Sequence, residues 1–545
     1  MKNSALVVPT VAATVAATVV GVAGVVALAI AAALSLPSRA VAADAASAAV
    51  TLRVGMRGDI ASMDPHGRFE AMQVGLLSNL YEPLVGRGAD LKLVPVLATR
   101  WSRTTPTVWR FHLREGVRFQ GGEALDADDV VFSLQRAAGP DSDLRGQLSL
   151  IRQVRRVDAA TVDVETVRPT ALLPDLISIV GVMDRSWTES HRAAAPTPPR
   201  ATQPSPLLAV SNGTGPFELA SRTPGQGLTL RRWRGWWGPQ RGNLDQVALQ
   251  VLDADATRVA GLLAGDVDLI TAVPLQDIDR LQARGLTVMR QPEARTLFLG
   301  MNQRDAALID SDLKDRNPFK DARVRRAIGL GVDPAVLQRT LMRGAASVTA
   351  LMVSPLVRGA PLALEGRAPP DPAAAKALLA QAGYPQGFRI TLDCPNDRYV
   401  NDEALCVAIA AQLARIGVQV RVRAESKTLW LPRLMRHETD FYLLGWSPAT
   451  FDALDPIENL LASNGGYNFG GYANPAIDAL IPRIETALDE RSRDALILEA
   501  YRLHQQDVGH VPLHQQAVVW AANARVGIVQ RADDALVFAQ AQLRR

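Results

Sequence analysis

Apolar residues follow two different spacings along the chain after residue 50. At 51–56, 108–113 and 161–167 they fall at every second position, which predicts strands with one buried face. Further on, apolar residues recur at helical spacing, and these segments alternate with short β-rich runs. This alternation is typical of an α/β protein. The helical segments are predicted at 258–264, 321–330, 371–382 and 401–416, and the strands at 296–302, 389–392 and 418–422.

The segment 443–456 combines a buried strand with an unusual loop. It begins with apolar residues and continues into a loop that holds Trp446, Asp452 and Asp455 and no basic residue. In open α/β sheets, ligand crevices form beyond the carboxyl ends of strands, so an aromatic ring and a carboxylate there suit a small ligand. The alternative from this segment alone is a surface turn, with Asp455-Pro456 as the turn residues.

Length and charge exclude some classes of protein. A chain of 545 residues is too long for one core, and a net charge of +4 is too small to indicate nucleic-acid binding. The stretch 231–238 interleaves Arg and Trp, but it is short and isolated. We interpret it as a structural turn in which Arg and Trp side chains stack, and we expect no nucleic-acid partner.

The N-terminus has the pattern of an export signal. Lys2 precedes a long uncharged run, and Arg39 is followed by small residues that fit cleavage after Ala42 or Ala43. Residues 1–43 are therefore predicted to be a signal peptide. The run is also long enough to span a bilayer, so an uncleaved N-terminal anchor is the alternative. Either way, the rest of the chain is expected to be exported.

Two cysteines, Cys394 and Cys406, lie in the exported part. An even count in an oxidising compartment favours a disulfide, and two buried thiols are the alternative. In the chain-entropy description, closing this short loop contributes about 3 kcal/mol.

No local pattern indicates catalysis or metal binding. His510 and His514 are four residues apart, but Pro512 between them prevents a shared helix face, so we expect no metal site there. The acids at 126–129 precede a helical pattern and are interpreted as an N-cap with first-turn acids. We expect no cofactor and no enzymatic activity, and a large exported protein without a catalytic motif points toward binding.

In the order of its motifs, the chain resembles the extracytoplasmic solute-binding proteins of peptide ABC importers, the dipeptide, oligopeptide and "peptide/nickel" class. The resemblance extends from residue 51 to the C-terminus. It is carried by these segments: 93–101 (LVPVLATRW), 113–117 (LREGV), 127–133 (ADDVVFS), 213–217 (GTGPF), 319–328 (FKDARVRRAI), 378–385 (LLAQAGYP), and Gly445-Trp446 with Asp455-Pro456.

The resemblance implies a two-lobed periplasmic-binding-protein fold of the large type II class, with an extra domain inserted in the first lobe. Lobe one would comprise 51–94, 213–299 and 511–545, the inserted domain 95–212, and lobe two 301–510. The chain would cross between the lobes near 298–301 and 510–512, and the lobes would close on a ligand between them.

The same resemblance implies ligand-binding residues. Asp452, three positions before Asp455-Pro456, would bind the ligand's α-ammonium. Arg398 in the loop 396–401 would bind its α-carboxylate, since a planar guanidinium can hold a carboxylate bidentately. Gly445 backbone groups, Trp446 and Tyr399 would hold the body of the ligand. The loop from Trp446 to Asp455 is longer than in typical dipeptide binders, so Asp452 depends on counting back from Asp455-Pro456.

The expected function is capture of short peptides, or similar small solutes, for delivery to an inner-membrane ABC permease, by a monomer. Two alternatives remain open at this point. One is the same fold with a non-peptide solute such as a metal chelate, haem, opine or sugar, because fold does not determine ligand. The other is an exported hydrolase.

Overall fold

The computed structural model describes residues 49–198, 201 and 203–544, so the predicted signal peptide lies outside the described residues. The strands are β1 (Thr51–Met56), β2 (Val85–Arg87), β3 (Leu93–Pro95), β4 (Ala98–Thr105), β5 (Val108–Leu113), β6 (Ile151–Asp158), β7 (Thr161–Thr166), β8 (Phe217–Thr223), β9 (Gly227–Arg232), β10 (Gln246–Val251), β11 (Leu269–Ile270), β12 (Thr287–Met301), β13 (Ala346–Val348), β14 (Phe388–Pro395), β15 (Val418–Glu425), β16 (Phe441–Trp446), β17 (Val511–Ala522), β18 (Val526–Gly527) and β19 (Gln542–Leu543).

The α-helices are α1 (Ala71–Leu77), α2 (Ala127–Ala138), α3 (Leu173–Ile177), α4 (Arg185–Ser190), α5 (Asp255–Ala264), α6 (Ile278–Ala283), α7 (Ala322–Gly331), α8 (Pro334–Thr340), α9 (Pro372–Gln381), α10 (Asp402–Ala414), α11 (Lys427–Met435), α12 (Leu454–Pro456), α13 (Pro475–Thr486) and α14 (Glu490–Asp507). Short 3₁₀ turns lie at Leu275–Asp277, Pro318–Lys320 and Leu362–Leu364, and a π turn follows α12 at Ile457–Leu461.

Local sequence signals explain where several helices begin. Asp126 caps α2: its carboxylate accepts hydrogen bonds from the N–H groups of Asp128 and Asp129, and the Asp129 side chain accepts one from the N–H of Asp126. This capping box satisfies N–H groups that the first turn of a helix leaves unpaired. The predicted N-cap is confirmed. Asp371 and Asn474 cap α9 and α13 through their own side-chain oxygens, without a reciprocal bond, and each is followed by Pro at the first helical position.

One large sheet joins the two ends of the molecule. Its order is β15-β14-β16-β12-β17-β11-β1-β10-β9-β8, and β13 pairs with β17 as the eleventh strand. β14, β15 and β16 form one end, and β1 with β8 to β11 forms the other. The long antiparallel strands β12 and β17 lie between these groups and connect them. The predicted crossing segments fall here, where Phe298 pairs with Pro512 and Leu299 with Val511.

A separate four-stranded antiparallel sheet, in the order β4-β5-β7-β6, occupies residues 98–166. The chain enters it after β1 of the large sheet and returns to the large sheet at β8. The strands predicted at 108–113 and 161–167 are present as the paired strands β5 and β7, but β7 is buried on both faces and not on one face alone. The largest apolar core contains residues of this small sheet, such as Phe111, together with residues of β16, such as Leu443.

Candidate functional site

A cavity of about 1300 Å³ lies where the two groups of strands face each other. Its size and mixed apolar and polar lining are those of a small-molecule site rather than a packing defect. Both sides of the molecule contribute to its wall. From the N-terminal side it is lined by Phe69, Tyr81, Glu82, Arg87, Arg168 and Trp236, and from the β14–β16 side by Arg398, Tyr399, Lys427, Gly445, Trp446, Asp455, Glu458, Tyr467 and Glu485.

Trp446 enters this wall because β16 ends there. Residues 441–445 are buried between β12 and β14, and the half-buried Trp446 follows at the edge of the sheet. Its indole N–H donates a hydrogen bond of 2.7 Å to Asp455 Oδ1, and its ring lies 4.6 Å from the ring of Tyr467. The two rings form an aromatic surface on the cavity wall, in the position predicted for Trp446.

Gly445 and Tyr399 are in direct contact. The Gly445 N–H donates to the Tyr399 hydroxyl at 2.9 Å, and a Cβ on Gly445 would lie 2.8 Å from Tyr399 Cε1. Glycine therefore allows the tyrosine ring to lie against the backbone of β16. The N–H of Gly445 has its partner within the protein, which differs from the predicted contact between this backbone and the ligand.

Arg398 is presented to the cavity by a braced loop. Asp402, in the first turn of α10, accepts hydrogen bonds from the N–H groups of Arg398 and Tyr399 at 3.0 and 2.9 Å. The predicted Cys394–Cys406 disulfide is confirmed, and it ties the end of β14 to α10 on either side of this loop. The Arg398 guanidinium is exposed and lies 5.6 Å from the centre of the Tyr399 ring.

The other cavity cations have carboxylate partners. Arg87 pairs with Asp175, Arg168 with Glu485, Arg295 with Glu293 and Arg531 with Asp533. Within the described part of the chain, Arg398 and Lys427 are the cavity cations that make no ion pair. An anionic ligand group would therefore meet an uncompensated positive charge at this end of the cavity.

Asp452 does not line the cavity, which corrects the predicted role of this residue. Its carboxylate is fully buried and is held by Arg493, at 2.9 and 2.6 Å, and by Arg358 Nε at 3.0 Å. The long loop after Trp446 turns this carboxylate away from the cavity and towards α14. No local motif predicts this arrangement, because Arg358 and Arg493 are 94 and 41 residues away.

Other acids occupy the wall near Trp446. Asp455 accepts from the N–H of Ala449 at 3.0 Å, so it fixes the turn as expected, but it also lines the cavity. Burial raises the pKa of Asp455 to about 6. Burial and the neighbouring Glu485 raise the pKa of Glu458 to about 8. Sequence reasoning missed Glu458 and Glu485. The one available signal was the spacing of Glu458 three residues after Asp455, which places both on consecutive positions of one helical face.

The opposite wall holds Glu82. Its carboxylate accepts hydrogen bonds from the indoles of Trp236 and Trp237 at 3.1 and 2.7 Å, and from the Thr214 hydroxyl at 2.9 Å. Burial raises its pKa to about 7. The Arg114 guanidinium stacks 4.1 Å from the Trp237 ring centre. The arginine on Trp237 therefore comes from outside the 231–238 stretch, whereas Arg232 of that stretch lies 5.6 Å from the Phe217 ring centre. The predicted stacking of Arg on Trp within the stretch is wrong.

The described residues contain no candidate metal site and no helix suited to crossing a membrane. No three His, Cys, Asp or Glu side chains in residues 49–198, 201 and 203–544 are placed to hold a metal ion. Across the same residues, no helix has the length and apolar character needed to cross a bilayer. His510 lies against the ring of His504, with 3.0 Å between their nitrogens, and not against His514.

A cavity between two α/β halves joined by paired crossing strands defines a solute-binding protein that holds its ligand between lobes. Comparison of the sequence with known families agrees: the family of bacterial extracellular solute-binding proteins, family 5 (middle region), matches residues 92–468. This is more than half of the chain, and the chain belongs to this family.

Individual relatives are distant but cover nearly all of the described residues. The glutathione-binding protein GsiB of Escherichia coli (strain K12) is 24% identical over 495 residues, covering 88% of this chain and 92% of that protein. Among solved structures, HbpA2 from Haemophilus parasuis has a TM-score of 0.77 at 21% identity, covering 91% of this chain and 100% of that one. The periplasmic binding protein DppA from Helicobacter pylori, in complex with the peptide STSA, has a TM-score of 0.70 at 23% identity, covering 91% and 98%. The predicted family and two-lobed fold are confirmed.

Proposed function

We propose that this protein captures short peptides with free termini between its lobes and delivers them to an ABC permease of the inner membrane. The observation that carries the proposal is the charge pattern of the cavity. Among the residues that the structure describes, Arg398 and Lys427 on this wall have no ion-pair partner, and the acids Asp455 and Glu458 lie on the wall near Trp446. A zwitterion presents one charge to each group. Relatives named for glutathione and crystallised with a peptide support the same solute class.

Each wall residue then has a role. Arg398 binds the α-carboxylate, because its guanidinium is exposed and its loop is braced by the disulfide. Asp455 and Glu458 receive the α-ammonium in place of Asp452. Trp446 supplies a flat apolar surface next to them, and Tyr399 supports the Arg398 side chain and seals the wall over Gly445. The chain acts as a binding protein with no catalytic step.

The proposed division into two lobes allows the protein to close on its ligand. Lobe one is taken as 51–94, 213–299 and 511–545, with the inserted domain at 95–212 and lobe two at 301–510. A ligand that contacts both walls stabilises the closed arrangement, because only that arrangement brings both walls to it. The chain is proposed to work as a periplasmic monomer, exported by residues 1–43.

A thermal-shift panel tests the solute class. It contains glutathione, the peptide STSA, their N-acetylated and C-amidated forms, nickel–histidine chelate and a set of sugars. We expect the unblocked peptides to raise the unfolding temperature and each blocked form to raise it less. A shift produced by the chelate or the sugars alone would refute the peptide proposal. Mass spectrometry of the solute that co-purifies with the protein gives an independent answer.

A further inference from the structure

Five buried or half-buried charges form a continuous chain beside the cavity, in the order Arg87, Asp175, Arg358, Asp452, Arg493. Arg87 Nη2 donates to Asp175 Oδ1 at 3.1 Å, and Arg358 Nη2 lies 3.5 Å from Asp175 Oδ2. Arg358 Nε donates to Asp452 Oδ2 at 3.0 Å, and Arg493 holds both Asp452 oxygens. Except for Arg358, whose side chain is 38% exposed, no member is more than 8% exposed.

This chain of charges crosses from one side of the molecule to the other. With the lobe bounds proposed above, Arg87 belongs to lobe one and Asp175 to the inserted domain, whereas Arg358, Asp452 and Arg493 belong to lobe two. The step across is the contact between Asp175 and Arg358, which at 3.5 Å is the longest in the series. Each side also keeps an ion pair of its own, Arg87 with Asp175 and Asp452 with Arg493.

A second contact crosses at the same place and reaches the cavity wall. Arg87 Nη2 donates to the carbonyl of Thr450 at 2.7 Å, and its guanidinium lies 4.9 Å from the Phe451 ring centre. Phe451 has a φ of 51°, a backbone conformation that residues other than glycine adopt rarely. The N–H of Arg358 donates to the Phe451 carbonyl at 3.0 Å, so Arg358 supports this loop from lobe two while Arg87 meets it from lobe one.

We propose that these residues form an interlobe latch that stabilises the closed arrangement without touching the ligand. A buried charge left without a partner is costly, so a contact that opens and closes must leave every buried charge paired. This network meets that condition, because it divides between Asp175 and Arg358 into two groups that each retain an ion pair. Asp452 is then a positioning residue that holds Arg358 and the Thr450–Phe451 loop.

The latch has a distinct effect on binding. Because it favours closure by the same amount whatever lies in the cavity, it raises the affinity for every solute by the same factor and leaves selectivity unchanged. Substitutions of residues that contact the solute would instead change the selectivity among solutes. The latch rests on the proposed lobe bounds, but it does not depend on the solute being a peptide.

The variant Arg358→Gln tests the latch, since it removes the Asp175–Arg358 contact and leaves the Arg87–Thr450 hydrogen bond and the pairs Arg87–Asp175 and Asp452–Arg493 in place. Arg53→Gln is the matched control: Arg53 is also 38% exposed and pairs with Asp268, and both residues lie within lobe one. Small-angle X-ray scattering of the dialysed, ligand-free proteins measures closure. We expect a larger radius of gyration for Arg358→Gln than for the wild type and no change for Arg53→Gln, with circular dichroism confirming that both fold.

A second variant, Asp175→Asn, removes the same contact from the other side and also removes the carboxylate partner of Arg87. We expect it to open the ligand-free protein at least as far as Arg358→Gln does, and Arg358→Gln to open the Asp175→Asn protein no further, as for two ends of one contact. The proposal would be overturned if the ligand-free Arg358→Gln variant and the ligand-free wild type had the same radius of gyration. Both measurements are made without solute, so a failed latch is distinguishable from a failed solute assignment. In titrations with glutathione and STSA, the latch variants should lose the same factor for each peptide, about fivefold or more.

Discussion

Arg493 holds Asp452 through both terminal nitrogens, at 2.9 and 2.6 Å, and neither side chain is more than 4% exposed. This pair fastens the loop after β16 to α14. A carboxylate held in this way has no unoccupied face for a ligand ammonium, so Asp452 acts through the position of its loop. The consequences of mutating it are therefore structural first and functional second.

Asp452→Ala should destabilise the fold. The substitution leaves Arg493 buried without a counter-charge, and removing one partner of a buried ion pair costs on the order of 3–5 kcal/mol. Urea denaturation followed by tryptophan fluorescence measures the loss. Glu438→Ala is the control, because its pair with Arg436 is exposed and worth little. A variant as stable as the wild type, with binding lost, would restore Asp452 as a direct ligand contact.

Arg398→Ala should weaken the binding of peptides with a free carboxylate and leave stability unchanged. The side chain is exposed and supports no core, and a lost charged hydrogen bond of about 1.5–3 kcal/mol corresponds to roughly 10- to 100-fold in affinity. Isothermal titration with STSA measures the change. Arg415→Ala, at the exposed end of α10 and away from the cavity, should bind as the wild type does.

A thermodynamic cycle separates the role of Arg398 from general damage to the site. C-amidated STSA should bind the wild type about as weakly as unmodified STSA binds Arg398→Ala. The variant should bind the two forms equally, because the group that distinguishes them is gone. If the variant still discriminates against the amide, the carboxylate lies elsewhere, with Lys427 as the next residue to test.

Elements with strong local signals were predictable, and elements that depend on distant partners were less so. The apolar run of β16 and the alternation of β5 are local properties, and both strands are present. By contrast, β12 was predicted from residue 296, but it begins at Thr287. Its first half is largely exposed along one face and contains Pro292, so its strand conformation comes from pairing with β17, which lies more than 200 residues later.

The same distinction holds for the cavity. Trp446, Arg398 and Tyr399 follow directly from one strand end and one loop, and all three line the wall. Asp452 was misplaced because its direction depends on Arg493 in a helix that no motif links to it. Glu82 was missed for a similar reason. Its carboxylate is held at the cavity wall by hydrogen bonds from the indoles of Trp236 and Trp237, which lie 154 and 155 positions later in the chain.

Gly445→Ala should lower both affinity and stability. Its Cβ would lie 2.8 Å from Tyr399 Cε1 and 3.1 Å from Cζ, so the ring must move and the hydrogen bond to the Gly445 N–H must lengthen or break. Overpacking of this kind typically costs about 1–3 kcal/mol. Thermal denaturation and titration with STSA measure the two effects. Gly466→Ala is the control, because its Cβ would meet no atom within 4 Å.

Removal of the disulfide should loosen the Arg398 loop. The double variant Cys394→Ala/Cys406→Ala frees a loop closed across 12 positions, which costs about 3 kcal/mol in the chain-entropy description. We expect faster hydrogen exchange at 396–401 and weaker STSA binding, while N-terminal segments such as β5 keep their protection. Equal exchange in this loop with and without the disulfide would show that the Asp402 hydrogen bonds suffice to hold it.

Binding of an ammonium at Asp455 and Glu458 should depend on pH in a particular direction. With a pKa of about 8, Glu458 is mainly protonated at pH 7 in the ligand-free protein. A bound ammonium favours the carboxylate, so binding expels the proton and affinity rises from about pH 6 to pH 8. Above that range the ligand's own α-amino group, with an ordinary pKa of about 7.7–8.0, loses its charge and affinity falls.

Titration calorimetry at pH 7 in two buffers of different ionisation enthalpy should detect the released proton. Glu458→Gln should abolish both the release and most of the rise, and N-acetylated STSA should show neither with the wild type. Affinity that falls steadily from pH 6 to pH 8, with no proton released, would mean that these acids do not receive the ammonium.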